Sequence, residues 1–441
     1  MKTQAKMVLF PTTSPVYLAA AAINNLIQVL PSSTDYFLGV VLVTMLTGHL
    51  AHSKGSLARA VFPFVSHLRW GWHRCERVLE RGRVSIDQLF DRSYEWCLTE
   101  LEAEVVCLGP AQREVQAADS STIARFRALK RLEAAGTGYW GRAGKAVRAN
   151  IVAAVTSVVV IGGIRCGLVR RTRLGETCEA AVSHLWKALP TCHGKRLIVV
   201  DAGIATKEQF TRATPTDALL GRFRSNVKLR LQPPPRTGRK GRPVKHGAVL
   251  HPGTDEPEVA PAEELEIEEK DEKGKHRLIR LRRWREAHYE EYAETVFDVV
   301  RVDDPKYEKP LLIGSTAREL STQEFLVGYR MRATIETNFY VGQDSCAMEM
   351  PRAFTENAVT RRISLALLAG TWLKAIAARC DPISLGPWDR KPQPTGGRLA
   401  HFLSQHAANF AAIALAGVAA RNYRKNQNTK VSKNLRLKPA A

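Results

Sequence analysis

Between Ala149 and Gly203 the apolar rhythm of the chain changes three times. "ANIVAAVTSVVVIGGIRCGLV" is rich in β-branched residues and broken by Gly162-Gly163, which predicts two strands joined by a tight hairpin. "ETCEAAVSHLWKAL" then places apolar residues at helical spacing, and "KRLIVVDAG" is a short continuous apolar run, the signature of a strand buried on both faces. Upstream, "REVQAADSS" alternates, so Val115, Ala117 and Asp119 share one face of a further strand. Downstream, "RFRSNVKLRLQ" predicts another strand, ended by the Pro-rich "QPPPRTGRKGRP". That segment opens an insertion of about 85 residues with strand-like runs at 277–284, 296–302 and 310–316. A helix through "YRMRATIETNF", a long Ala/Leu helix from about 354 to 380, and a last Ala-rich helix with a tail complete the chain.

The first 108 residues read as helical, and "RVLERGRVSIDQLFDR" outlines two short helices about a Gly-centred turn, in the manner of a helix-turn-helix or a plain helical hairpin. The uncharged stretch 7–34 is interrupted by "FPTTSP" and "LPSSTDY", and the apolar run Tyr36–Leu46 is too short to span a bilayer. Buried helices, with no membrane segment, are the expectation. Strands, a helix, two more strands and late helices together predict an α/β fold: a mixed sheet flanked by helices, with a β-rich insertion and an N-terminal helical domain.

Charge then narrows the function. A formal surplus of +22 predicts attraction to polyanions, nucleic acid first among them. The charge is segregated: Arg222 to Lys245 holds nine Lys or Arg and no acid, whereas Asp255 to Glu272 holds ten acids and one lysine. In "RTGRKGRPVKHG" Gly and Pro break any helix and leave an extended arm whose Arg239, Lys240, Arg242 and Lys245 suit a phosphate track. The acidic stretch is expected as a flexible loop that competes with DNA for that arm. Eight cysteines without a C-x-x-C or a paired Cys/His spacing give no zinc motif and suit a reducing cytosol.

Against this basic background one helix is unusual. At about 100° per residue, Tyr329, Arg332, Glu336 and Gln343 fall within about 60° of one another, a single stripe. Arg332 and Glu336 form an i,i+4 pair that would support any exposed helix. The glutamate gains a second meaning from two aspartates at expected strand ends, Asp119 in "AADSST" and Asp201 in "LIVVDAG". Each also has a plainer reading: Asp119 as the N-cap of a helix in "TIARFRALKRLEAA", Asp201 as a turn cap or a ribose ligand. Three converging carboxylates repel unless cations neutralise them, and all-oxygen ligands favour Mg²⁺ or Mn²⁺. Two such ions cleave phosphodiesters.

In these blocks the chain resembles the insertion-sequence transposases of the DDE class, whose catalytic core has the ribonuclease H fold. Tyr329, Arg332 and Glu336 match the Tyr-x2-Arg-x3-Glu-x6-Lys signature of one subgroup, and Gln343 stands where that signature has lysine. "AADSSTIARF" and "LIVVDAGIA" resemble the blocks of the first and second aspartate. The resemblance implies a core at 109–235 and 319–385, a β-rich insertion with an acidic loop at 236–318, an N-terminal domain at 1–108 for DNA binding or dimerisation, and a C-terminal helix and basic tail at 386–441. It further implies catalysis and metal binding by Asp119, Asp201 and Glu336 with two Mg²⁺ or Mn²⁺ ions. Tyr329, Arg332 and Gln343 would lie on DNA. The partners implied are double-stranded DNA, both terminal inverted repeats and target, in a homodimeric synapse in the bacterial cytoplasm at the nucleoid. Some relatives use a Trp wedge, for which Trp284 is a candidate, though a core role fits it better. A DNA-binding protein of transposase descent that no longer cuts, and a Mg²⁺ nuclease of the same fold, are the alternatives.

Overall fold

Ser14 starts the first helix by accepting a hydrogen bond from the Tyr17 amide at 3.4 Å, and Pro15 follows at the position where a missing N–H costs nothing. The computed structural model describes residues 14–28, 30, 34–67, 72–125, 135–141, 143–192, 194–233, 245–270 and 274–416. Four longer N-terminal helices, α1 (Pro15–Ile27), α2 (Asp35–Leu46), α3 (His73–Arg81) and α4 (Ile86–Glu100), precede the sheet, with short helical turns at His49–His52, Leu57–Ala60 and Phe62–His67 between α2 and α3. None of the helices among the described residues is long and apolar enough to cross a membrane.

The sheet begins with an antiparallel meander: β1 (Arg113–Ala124), β2 (Lys145–Ile161) and β3 (Ile164–Gly175). The β2–β3 turn is Gly162-Gly163, with φ of 54° and 78°, the left-handed pair that a two-residue hairpin turn matching the strand twist requires. Helix α5 (Cys178–Lys187), capped by Thr177, crosses over to β4 (Arg196–Val200), which runs parallel to β1. A second crossover leads to β5 (Asp217–Phe223), parallel to β4. The strand order across this half is β3-β2-β1-β4-β5.

The insertion continues the same sheet. Strands β6 (Leu229–Leu231), β7 (Val249–Leu250), β8 (Glu263–Lys270), β9 (His276–Tyr289), β10 (Tyr292–Asp303) and β11 (Leu311–Ser315) are antiparallel, and β11 docks on β5. With short strands at Glu104–Val105, Cys107–Leu108 and Gly136–Trp140, the described residues form one 14-stranded mixed sheet. Helices α6 (Thr322–Arg330), α7 (Ala333–Asp344), α8 (Glu356–Arg379) and α9 (Gly396–Gln405) follow.

Two apolar clusters sandwich this sheet. Val115 and Ala117 of β1 and Leu197 and Val199 of β4 join α6, α7, α8 and the N-terminal helices in one. Ala118, Ile198 and Val200 join α5 and the rings of Phe210, Phe223, Phe297 and Tyr289 in the other. Burial on both faces explains why "RLIVV" shows no alternation. The N-terminal helices are tied to α8 by Trp372, whose indole donates to Ser93 Oγ at 2.7 Å and meets Trp96 edge-on.

The structure departs from the sequence reading in two strands. "RFRSNVKLRLQ" is not one strand: β5 ends at Phe223, and Arg224 to Lys228 turn before the short β6. The acidic stretch is not wholly a loop, because Glu263–Lys270 is strand β8, paired along its length with the Arg-rich β9. Trp284 lies in the core, 1% exposed, donating to the Val259 carbonyl at 2.8 Å.

Arg283 and Asp298 lock the insertion to the helical side. Both side chains are 2% exposed and 2.6 Å apart. Arg283 also donates to the Leu320 and Arg318 carbonyls, and Asp298 accepts from the Glu286 amide. Asp298→Ala leaves a guanidinium buried without its counter-ion and should cost about 3–5 kcal/mol. Urea unfolding measures this, and Asp298→Ala combined with Arg283→Met should lose less than Asp298→Ala alone.

Candidate active site

The register of β1 and β4 builds the site. Their last parallel pair is Ala118 with Val200, and Asp119 and Asp201 are the next residues along each strand. Alternation puts both carboxylates on the face of Ala117 and Val199, under α6 and α7. β1 does not stop there: it runs to Ala124, with Asp119 opposite Ala154 of β2. Residues 120–124 are therefore extended, and Asp119 does not cap a helix at that point. Asp201 does turn the chain through its carbonyl, which accepts from the Ile204 and Ala205 amides at 2.9 Å, and its carboxylate takes no part in that turn but meets Tyr329.

The "YRMRATIETNF" segment is two helices rather than one. α6 ends at Arg330 and α7 begins at Ala333, with Met331 and Arg332 in a tightened joint. Amides of Met331, Arg332, Thr334 and Ile335 bond three residues back instead of four, and Thr334 Oγ1 donates to the Met331 carbonyl. No Gly or Pro marks this joint in the sequence. It turns Arg332 to the sheet end, where Nη1 donates to Asp119 Oδ2 at 3.1 Å and Nη2 lies 2.6 Å from Glu336 Oε1. The expected i,i+4 pair is present, but the same guanidinium also holds an aspartate distant in the chain. Tyr329 Oη donates to Asp201 Oδ1 at 3.1 Å, and its ring centroid lies 5.7 Å from the Arg332 guanidinium carbon.

Electrostatics follow from this crowding. Burial above all pushes the Asp119 carboxyl up to about 6; Asp201 and Glu336 add to it, against the Ser120 amide and Arg332. Burial, then Asp201, pushes the Tyr329 hydroxyl up to about 12, so it remains a donor. Burial works against the Arg332 charge, yet Tyr329, Asp201, Glu336 and Asp119 together raise its pKa. Glu336 is the most open acid, with 51% of its side chain exposed against 21% for Asp119.

Gln343 does not reach outward as the signature lysine would: its Nε2 donates to Ser121 Oγ at 3.0 Å, beside Asp119 on β1. Lys245 is exposed just ahead of β7, whereas Arg239, Lys240 and Arg242 lie outside the described residues. Sequence reasoning missed Arg222 of β5, 3.9 Å from Asp201 Oδ1. It also missed a groove of about 540 Å³ in which Arg222, Tyr329, Arg330 and Arg332 face Tyr307 and Lys309 of the β10–β11 loop. The acid-free run starting at Arg222 was the available signal, but only strand register shows which of its cations reaches the carboxylates.

The donor set of Asp119, Asp201 and Glu336 is all-carboxylate, the chemistry of a hard divalent ion. Arg332 does part of the neutralising instead. Among the described residues no group of three or more His, Cys, Asp or Glu closes around one point to hold a metal. Compared with known proteins, the chain matches no family model and no curated protein.

Proposed function

We propose that the chain is a DNA transposase of the DDE class, cutting DNA at the ends of its own element and joining the freed 3′-OH to target DNA. One observation carries the reading: two aspartates far apart in sequence follow the last β1–β4 pair on adjacent strands, and Arg332 draws Glu336 to the first of them. The β3-β2-β1-β4-β5 order, with β2 antiparallel to both neighbours, supports a ribonuclease H-like core.

Asp119, Asp201 and Glu336 would hold Mg²⁺ or Mn²⁺, which when bound activates the attacking oxygen and stabilises the leaving one. The protein's own groups set the stage. Tyr329 fixes the Asp201 carboxylate by donating to it, leaving its other oxygen free. Arg332 offsets carboxylate repulsion and, in the groove wall with Arg222, presents positive charge to a phosphate. The surplus of +22 brings polyanion to the surface without regard to sequence. A homodimeric synapse on duplex DNA belongs to the same reading.

A transposase-derived DNA-binding protein that no longer cuts is the second reading. Gln343 in place of lysine favours it, as does Arg332 gripping two of the three carboxylates. Cleavage of a labelled duplex carrying the sequences that flank the coding region, in Mg²⁺, separates the two. Wild type should cut; Asp119→Ala, Asp201→Ala and Glu336→Ala should each abolish cutting while retaining duplex binding in Ca²⁺. A variant cutting at the wild-type rate removes its residue from the site, and binding without cutting by wild type favours the second reading. Gln343→Lys gives up the Ser121 hydrogen bond and adds a cation beside the site. It should tighten DNA binding about two- to fivefold and steepen the plot of log K against log salt by about 0.9. Anisotropy titrations across a salt series check both.

A further inference from the structure

Strand β8 reads "EELEIEEK", and its two faces differ. Glu264, Glu266 and Glu268 point to solvent, while Leu265 and Ile267 pack against the large apolar cluster. Glu269 follows on the inward side at the end of the strand. Its carboxylate accepts from Arg277 Nη2 at 3.0 Å and from both terminal nitrogens of Arg330, at 2.5 and 3.1 Å. Arg330 foremost, with Arg277, holds the Glu269 carboxyl below the usual carboxylate range.

Arg330 is no ordinary surface arginine. It is the last residue of α6, between Tyr329 and the Met331–Arg332 joint, and it lines the groove with Arg222, Arg332 and Lys309. A carboxylate on both arms of a guanidinium occupies the fork that a backbone phosphate would take. The pair is also open enough to exchange, with 37% of Arg330 and 27% of Glu269 exposed, so water weakens it. Losing Arg330 would not strand Glu269, since Arg277 remains on it.

We infer that Glu269 is a built-in competitor for nucleic-acid phosphate: it occupies Arg330 in the free protein and yields it to the DNA backbone entering the groove beside Asp201. This rests on the reading of the protein as DNA-acting. The partner is a polyanion recognised by charge and fork geometry, so the competition acts on affinity and salt dependence, not on base sequence. Acidic side chains of the insertion then tune DNA affinity from within the sheet.

The test is binding of the full-length chain to a labelled 30-base-pair duplex in EDTA over a salt series. Glu269→Gln should bind about fivefold more tightly near 0.1 M salt, with a slope of log K against log salt steeper by about 0.9. Glu264→Gln adds the same net charge on the opposite face of β8, where its partner is Arg280 at 2.6 Å, and should gain at most about twofold. In an Arg330→Gln background the gain from Glu269→Gln should vanish. Equal gains at the two glutamates, no gain at Glu269, or a gain that persists without Arg330 overturns the inference; the last would mean that β8 had merely loosened. If wild type and every variant fail to bind duplex at low salt, the DNA-acting reading falls and this inference with it. Binding by wild type with Glu269→Gln unchanged removes the competitor alone.

Discussion

The Arg332 guanidinium is the interaction on which the site depends. β1 and β4 run parallel, so their register alone brings Asp119 and Asp201 together at one end of the sheet. Carboxylates so placed, with Glu336 arriving from α7, would repel one another and push one of them toward the neutral form. Burial first of all raises the pKa of the Asp119 carboxyl, and Asp201 and Glu336 add a smaller push in the same direction. One guanidinium reaching both Asp119 and Glu336 lets the acids stay close without closing on each other.

Arg332 reaches both because the helix is broken beneath it. α6 packs over β4, β5 and the insertion strands β9, β10 and β11, whereas α7 packs over β1, β2 and β3. One straight helix cannot follow both halves of a twisted sheet, and the joint at Met331–Arg332 falls above the β1–β4 boundary. The capping box of Ser321 and Glu324 fixes where α6 starts, and Asn338, donating to the Gly167 carbonyl at 2.7 Å, pins α7 to β3. Sheet register and helix docking thus position the same three acids from two sides.

Much of this was legible in the chain. Gly162-Gly163 gave away the hairpin because no other residue pair takes two left-handed conformations so easily, and "LIVVDAG" ended a buried strand at Asp201 because its apolar run stops there. The joint in α6–α7 was hidden because its cause is tertiary: the residues at 331 and 332 are ordinary helix formers. β5 was displaced in the reading because Gly221 weakens its strand pattern, yet the glycine is needed where a Cβ would come within 2.6 Å of Ala205 Cβ. The extension of β1 past Asp119 was missed for a similar reason, since "SSTIA" forms its ladder only with β2.

The acidic strand shows the same limit in its clearest form. Six glutamates in ten residues around Leu265 and Ile267 read as solvated chain when considered alone. Opposite β9 they become a ladder, Glu264 across from Arg282, Glu266 from Arg280 and Glu269 from Arg277. Opposite charges across an antiparallel pair attract, and here they allow an arginine-rich strand to sit in a sheet without repelling its neighbours. The segregation of charge that stands out along the chain is therefore undone in the fold on this side of the molecule. The cations that face the carboxylate end are Arg222, Arg330, Arg332 and Lys309, in a groove that also holds Asp304 and Glu308, and of these Arg330 is the one an acid of the ladder holds. Net charge alone overstates how much of this surface is open to a polyanion; the contact between Glu269 and Arg330 decides it where the insertion meets the site.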